Sequence, residues 1–161
     1  MYLYYEDGII VGGADFSNRQ IEIAHKVFKN KPISELIACD ARSIPVDIKY
    51  DAVISNSVFS YFSDDQYSID VLDKMLAKSN YSMAIIDVHD IEKKDAFNAY
   101  RKKMIDDYEI KYKGLDKHFY SRDLFSDFAD ANNCSIVFEE SDLDGYWNND
   151  FVFNCYIYKN E

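Results

Sequence analysis

One pattern recurs along this chain and constrains its fold more than any other feature: a short apolar run stops at an acid or an amide, and a capped helix or short connection follows. Ile9 to Ala14 stops at Asp15 and leads into Ser17-Asn-Arg-Gln20, whose spacing is that of a capping box. The helix it opens carries Ile21, Ala24 and Phe28 on one face, turns Lys26 and Lys29 outward, and ends before Asn30-Lys-Pro32. Leu36 to Cys39 is the next run and stops at Asp40; Tyr50 to Ser55 alternates like a strand and stops at Asn56. Ser63-Asp-Asp-Gln66 opens a second helix with Ile69, Leu72, Met75 and Leu76 on its apolar face, reaching Lys78. Tyr81 to Ile86 then stops at Asp87, and a charged helical stretch runs from Ile91 to Ile110. Ser121 caps a helix bearing Leu124, Phe125 and Phe128, and two strands, Cys134 to Phe138 and Phe151 to Tyr158, close the chain.

Strands alternating with helices predict an α/β fold with a mostly parallel sheet, and the last two strands, with no helix between them, predict an antiparallel pair at one edge. Right-handed crossovers bring the strand ends to one side, so Asp15, Asp40, Asn56 and Asp87 are expected on a common rim. A length of 161 residues predicts one domain. Acids outnumber Lys and Arg by 29 to 18, a field that repels phosphate backbones and argues against nucleic acid or anionic membrane as partner. A small-molecule ligand fits better. No apolar run approaches a membrane span and the N-terminus carries no basic n-region, which predicts a cytoplasmic location. Cys39, Cys134 and Cys155 lack C-x-x-C spacing, so no metal site and no disulfide is expected, and the three read as buried small residues.

An acid ending an early strand can accept hydrogen bonds from both hydroxyls of a ribose. Asp15 has that place, Asp40 with the Ala41 backbone lies where the base of the same nucleoside would sit, and Asn56 lies where the third strand would meet the ligand's other end.

The stretches Gly13-Ala-Asp15-Phe16-Ser17 with Ile21-Glu-Ile-Ala24, Ala38-Cys-Asp40-Ala41, and Tyr50-Asp-Ala-Val-Ile-Ser-Asn56-Ser57-Val-Phe59 resemble class I S-adenosylmethionine-dependent methyltransferases. The resemblance runs from the second strand of that Rossmann-like fold onward. It implies a seven-stranded sheet with a reversed last strand, the cofactor S-adenosylmethionine held by its ribose on Asp15 beside Phe16, its adenine near Asp40 and Ala41, and its methionine end near Asn56 and Ser57. Together with the acidic charge it predicts a small-molecule acceptor, in metabolite or saccharide modification. The first strand and its glycine-rich loop should precede Asp15 by a whole helix, so residues 1–161 read as an N-terminally truncated methyltransferase domain. In the resembled fold that strand lies between those ending in Asp15 and Asn56. Its absence predicts that these two strands pair directly, that Tyr2 to Tyr5 fills the gap, or that the chain self-associates through unpaired edges.

Methyl transfer from a sulfonium is an in-line displacement in which a base matters chiefly for hydroxyl acceptors. His89, two residues past the Asp87 strand end, is the candidate base, with a rim histidine bonded to backbone as the bland alternative. Tyr61, His118 and Tyr120 are candidate substrate contacts, His118-Phe-Tyr-Ser121 resembling an acceptor-side segment of small-molecule members. Phe59 and Tyr146 are further candidates for the pocket wall. The basic cluster Lys93, Lys94, Arg101, Lys102 and Lys103 reads as a solvated helix face balanced by neighbouring acids, or as an attractor of an anionic substrate. Trp147 reads as part of a turn between the last strands. Two other functions fit parts of this pattern: a nicotinamide-dependent oxidoreductase, which also holds ribose on an acid after its second strand, and a non-catalytic methyltransferase remnant.

Overall fold

The computed structural model describes residues 2–160. They divide into two compact units, the boundary falling between Lys49 and Tyr50. The first unit opens with helix α1 (Tyr2–Glu6) and contains strand β1 (Gly13–Asp15), helix α2 (Asn18–Val27) and strand β2 (Leu36–Ala38). β1 and β2 pair in parallel, Asp15 opposite Ala38. The expected strand from Ile9 shrinks to three residues because only Gly13 to Asp15 have a partner strand, and Ile9 and Ile10 stay exposed. Ser17 caps α2 as the capping box predicts, its Oγ accepting the Gln20 N–H, and Ile21 and Phe28 bury the expected face.

The second unit holds strands β3 (Tyr50–Asn56), β4 (Ser79–His89), β5 (Cys134–Glu140) and β6 (Val152–Lys159) in the order β3-β4-β6-β5. β3 and β4 are parallel, while β6 runs antiparallel to both β4 and β5. The reversed last strand is therefore present, and the final two strands pair as expected. The six strands form two hydrogen-bonded sheets, where the resemblance implies seven strands in one. One of the expected closures is replaced within the first unit: Tyr2 to Tyr5 is helical, not a strand.

Helix α3 (Asp65–Lys78) packs on β3 and β4, and α6 (Arg122–Ala131) packs on β5. The cap of α3 is Asp64 instead of Ser63: the Asp64 carboxylate accepts the Tyr67 N–H at 2.8 Å, and the Ser63 hydroxyl donates to that same carboxylate. A carboxylate is the stronger acceptor at a helix N-terminus, where the dipole also favours negative charge. The charged stretch expected as one helix breaks into a 3-10 turn (Ile91–Lys93), α4 (Lys94–Met104) and α5 (Tyr108–Lys111). Asp107 stands at the break with a left-handed φ of 58°, a conformation no helix interior admits.

The core of the second unit is aromatic. Phe125 is fully buried against Phe59, Tyr120 and Phe153 at ring-centroid distances of 5.6–6.0 Å. Cys134 and Cys155 are buried as expected, the thiol of Cys155 pushed up to about 12 by loss of hydration, whereas Cys39 is only half-buried. Phe125→Ala is expected to lower stability by about 3–5 kcal/mol, the range for emptying a buried aromatic site. Leu143→Ala, at an exposed loop position, should stay within about 0.5 kcal/mol; urea unfolding of the two variants checks the contrast.

Candidate functional site

Each sheet carries its polar residues at the carboxyl ends of its parallel strands. In the first unit Asp15 ends β1 and Asp40 follows β2, so the rim expected there forms. The Asp15 Oδ1 accepts the Ser17 N–H at 2.7 Å, which orients the carboxylate; Oδ2 has no partner among the described residues. Asp40 is differently engaged. Its two oxygens take the Arg42 Nε and Nη2 at 3.1 and 3.0 Å, and Oδ1 also accepts the Arg42 N–H, capping the 3-10 turn Ala41–Ser43. Phe16 is 82% exposed and Ala41 half-buried.

In the second unit Asn56 and Asp87 lie at the same end of β3 and β4, Asn56 registering with Ile86. Here β4 bulges. Ile85 pairs with Cys155 and Val88 with Phe153, so Ile86 and Asp87 together oppose Asn154 alone. Asp87 takes a left-handed φ of 64°, and its N–H, lost to the ladder, is donated to the Asn154 Oδ1 at 3.1 Å. The bulge re-aims a carboxylate that is only 8% exposed. Three side chains donate to it: Ser57 Oγ at 2.6 Å, Tyr146 OH at 2.8 Å and Asn148 Nδ2 at 3.1 Å. Ser57 is itself left-handed, φ 57°, and its N–H continues the ladder to the Ile86 carbonyl. Loss of hydration, then the bond to the Asp87 carboxylate, raises the Tyr146 hydroxyl above its ordinary range.

His89 ends β4 in an aromatic nest. Its ring meets Phe97 and Phe119 edge to face at 4.9 and 5.4 Å, it is 5% exposed, and its Nδ1 is buried with no partner. Loss of hydration pushes its pKa down to about 4; the Asp87 charge opposes this, and the Lys117 and Arg101 charges add to it.

The three candidate substrate contacts come together. The His118 N–H donates to the Ser60 carbonyl beside Tyr61, the His118 ring meets the Tyr120 ring at 4.5 Å, and the Tyr120 N–H donates to the His89 carbonyl. Their surfaces differ. Tyr61 is 73% exposed with the Lys117 Nζ over its ring, and His118 Nε2 lies 2.8 Å from Asp65. Tyr120 is 1% exposed, its hydroxyl donating to the Phe59 carbonyl and bonded to Ser68. That corrects its expected substrate contact: Tyr120 is a strut inside the core, with no surface left to offer. No cluster of metal-ligating side chains forms and no helix is long and apolar enough to cross a membrane, among the described residues.

A family model described as a methyltransferase domain matches residues 2–84. The chain belongs to that methyltransferase family. No curated protein sequence matches it, whereas solved structures do. The PH0226 protein from Pyrococcus horikoshii OT3 superposes with a TM-score of 0.71 at 15% identity, over 99% of this chain and 76% of that one. Magnesium protoporphyrin IX methyltransferase from Synechocystis PCC 6803, with bound SAH, gives 0.67 at 13% identity, over 96% and 66%. The N-methyltransferase NodS from Bradyrhizobium japonicum WM9 gives 0.61 at 12% identity, over 94% and 74%. These likenesses establish a Rossmann-like methyltransferase fold. The chain spans just under two thirds of the length of the Synechocystis enzyme.

Sequence reasoning placed Asp87 on the rim without giving it a role, and missed Asn148 and Asn154 entirely. An acid at a strand end was the available signal for the first. For the two amides no local pattern exists, since each meets Asp87 across more than sixty residues.

The buried neutral state of His89 makes stability depend on pH. The folded pKa lies below the ordinary 6.5, so the stabilisation is complete above pH 6.5 and falls away as the pH drops toward 4. The expected loss is on the order of 2–3 kcal/mol. Urea unfolding at pH 7 and pH 4.5 should show a smaller loss in His89→Gln than in the unsubstituted protein.

Proposed function

We propose that this methyltransferase-family chain serves S-adenosylmethionine-dependent methylation of a small-molecule acceptor, of metabolite or saccharide type. The observation that carries the reading is Asp15: a strand-end carboxylate, oriented by one backbone bond and exposed, with an oxygen free to accept. Those are the requirements for holding a ribose diol. When bound, S-adenosylmethionine supplies an electrophilic methyl group on a sulfonium.

The chain's own residues then bind, orient and shield. Asp15 accepts from the ribose hydroxyls and Phe16 offers an exposed ring. Asp40 and Ala41 meet the base; the Arg42 pair on Asp40 is partly exposed and so costs little to displace. Asn56 and Ser57 meet the methionine end, Ser57 being held by Asp87. Tyr61 and His118 form the accessible part of the acceptor wall. His89 stays neutral at pH 7; its Nδ1 is sealed from solvent, so Nε2 is the ring nitrogen available to an acceptor-molecule N–H or O–H. A pKa near 4 makes it a weak base, so alignment and exclusion of water carry more of the rate than proton removal does. The acidic net charge of −11 favours a small acceptor over nucleic acid.

Calorimetry with S-adenosylhomocysteine tests this reading. Asp15→Ala should weaken binding by about 1.5–3 kcal/mol, the worth of hydrogen bonds to a charged group, or roughly tenfold to a hundredfold. Unchanged affinity removes Asp15 from the ribose role. No binding by the unsubstituted protein leaves the non-catalytic reading, and a preference for NADH would support the oxidoreductase reading, which family membership disfavours. The outer edge of β3 pairs with no strand among the described residues, so self-association through it is part of the proposal. Light scattering should show a mass that rises with concentration; a constant monomer mass would sink it.

A further inference from the structure

The chain contains four arginines, and three of them are paired with acids: Arg19 with Glu22, Arg42 with Asp40, and Arg122 with Asp90 and Glu140. Arg101 on α4 has no carboxylate partner among the described residues, in a protein whose acids outnumber its Lys and Arg. Rings surround it instead. Its guanidinium carbon lies 4.8 Å from the Tyr112 ring centroid, 5.4 Å from Trp147, 5.5 Å from Tyr108 and 5.9 Å from Phe97. Ring faces stabilise the cation but leave the five in-plane N–H donors of a guanidinium without the oxygen acceptors they suit. The buried Nε has no hydrogen-bond partner among the described residues. An unpaired buried donor is destabilising, and the remaining guanidinium N–H groups, with no acceptor among the described residues, are the ones an incoming acceptor can meet.

The cage adjoins the residues at the end of β4. Phe97 is the ring that packs edge-on against His89, and Trp147 follows Tyr146, whose hydroxyl donates to Asp87. Lys102, the next cation on α4, is already committed to Glu109 at 2.6 Å. Arg101 therefore offers a permanent charge in a planar fork, a geometry that matches the two oxygens of a carboxylate bidentately. We propose that Arg101 is the anchor for a carboxylate carried by the small-molecule acceptor, oriented by the Tyr108, Tyr112 and Trp147 rings. The word acceptor rests on the methyltransferase reading; the carboxylate site does not.

Trp147 is the chain's single tryptophan, so its fluorescence reports on the cage directly. Titration with benzoate, without cofactor, should give a saturable change, and benzamide should bind at least tenfold more weakly. Arg101→Gln should lose at least tenfold in benzoate affinity. Arg101→Lys, which keeps the charge without the fork, should lose most of that. Equal responses to benzoate and benzamide, or benzoate binding unchanged in Arg101→Gln, would overturn the proposal. So would inorganic phosphate displacing benzoate at lower concentrations than benzoate itself requires. Should Arg101→Gln fail to fold, the benzoate and benzamide comparison on the unsubstituted protein still decides. S-adenosylhomocysteine calorimetry on that protein reports separately, so the site and the methyltransferase reading can fail independently.

Discussion

Everything in the second unit hangs on β4. Like β6 it is paired on both sides, but it alone joins the parallel and antiparallel parts of this sheet, in parallel with β3 and antiparallel with β6, and its inward residues Met83, Ile85 and Val88 are buried at or near completion. A strand hydrogen-bonded on both edges has its ladder groups satisfied and no register to slip into. That rigidity is what allows its last turn of chain to depart from regular geometry. Asp87, His89 and Asp90 all stand where β4 has finished pairing with β3, on a platform whose position is already determined.

The bulge at Asp87 is costly taken alone. A left-handed φ on a residue with a Cβ costs about 1–2 kcal/mol, and a buried carboxylate is far dearer unless donors surround it. The donors are present. Ser57, Tyr146 and Asn148 each reach the carboxylate, and hydrogen bonds to a charged group contribute about 1.5–3 kcal/mol apiece, so their sum exceeds the backbone term. They also come from far apart, from the turn after β3 and from the loop before β6. Asp87 thereby fixes the position of both segments. Ser57, with its own left-handed φ, is held from the side-chain end by Asp87 and from the backbone end by Ile86.

Local chemistry accounts for what could be read from residues alone. Ser17 and Ser121 cap their helices because a hydroxyl at that position meets free N–H groups in any context. β3 and the closing pair were legible because alternation and the absence of a helix between strands are local too. Misreadings arose where a distant partner decides. β1 is shorter than its apolar run because strand length is set by what lies alongside, and β4 is longer than its run for the same reason. The charged stretch after Asp90 carries helical composition throughout, yet the left-handed Asp107 divides it. Tyr120 is the instructive error. Its neighbours His118 and Tyr61 reach solvent, but Ser68 and the Phe59 carbonyl capture its hydroxyl, and neither partner lies within fifty residues of it in sequence. In sequence Arg101 is one cation of a basic cluster, and only the aromatic cage separates it from its lysine neighbours.

Aromatic abundance, uninformative as composition, becomes informative through position. His89, Phe97, Phe119, Tyr100, Trp147 and Phe151 form one continuous set of ring contacts beside the Asp87 hub. Flat rings bury much area for few rotatable bonds, so such a wall holds its shape without polar cross-links. They also remove water from whatever they surround, and the sign of the consequence depends on the group. Burial holds His89 neutral, because nothing nearby supplies enough negative charge to offset lost hydration; Asp87 opposes the shift and is outweighed. A guanidinium cannot respond in that way, since it does not deprotonate in proteins. Arg101 lies inside the same wall, where ring faces compensate part of its lost hydration. One aromatic surface thus holds a neutral hydrogen-bonding group and a guanidinium side by side, and on the carboxylate-anchor proposal that pairing would favour a carboxylate-bearing ligand over an uncharged one.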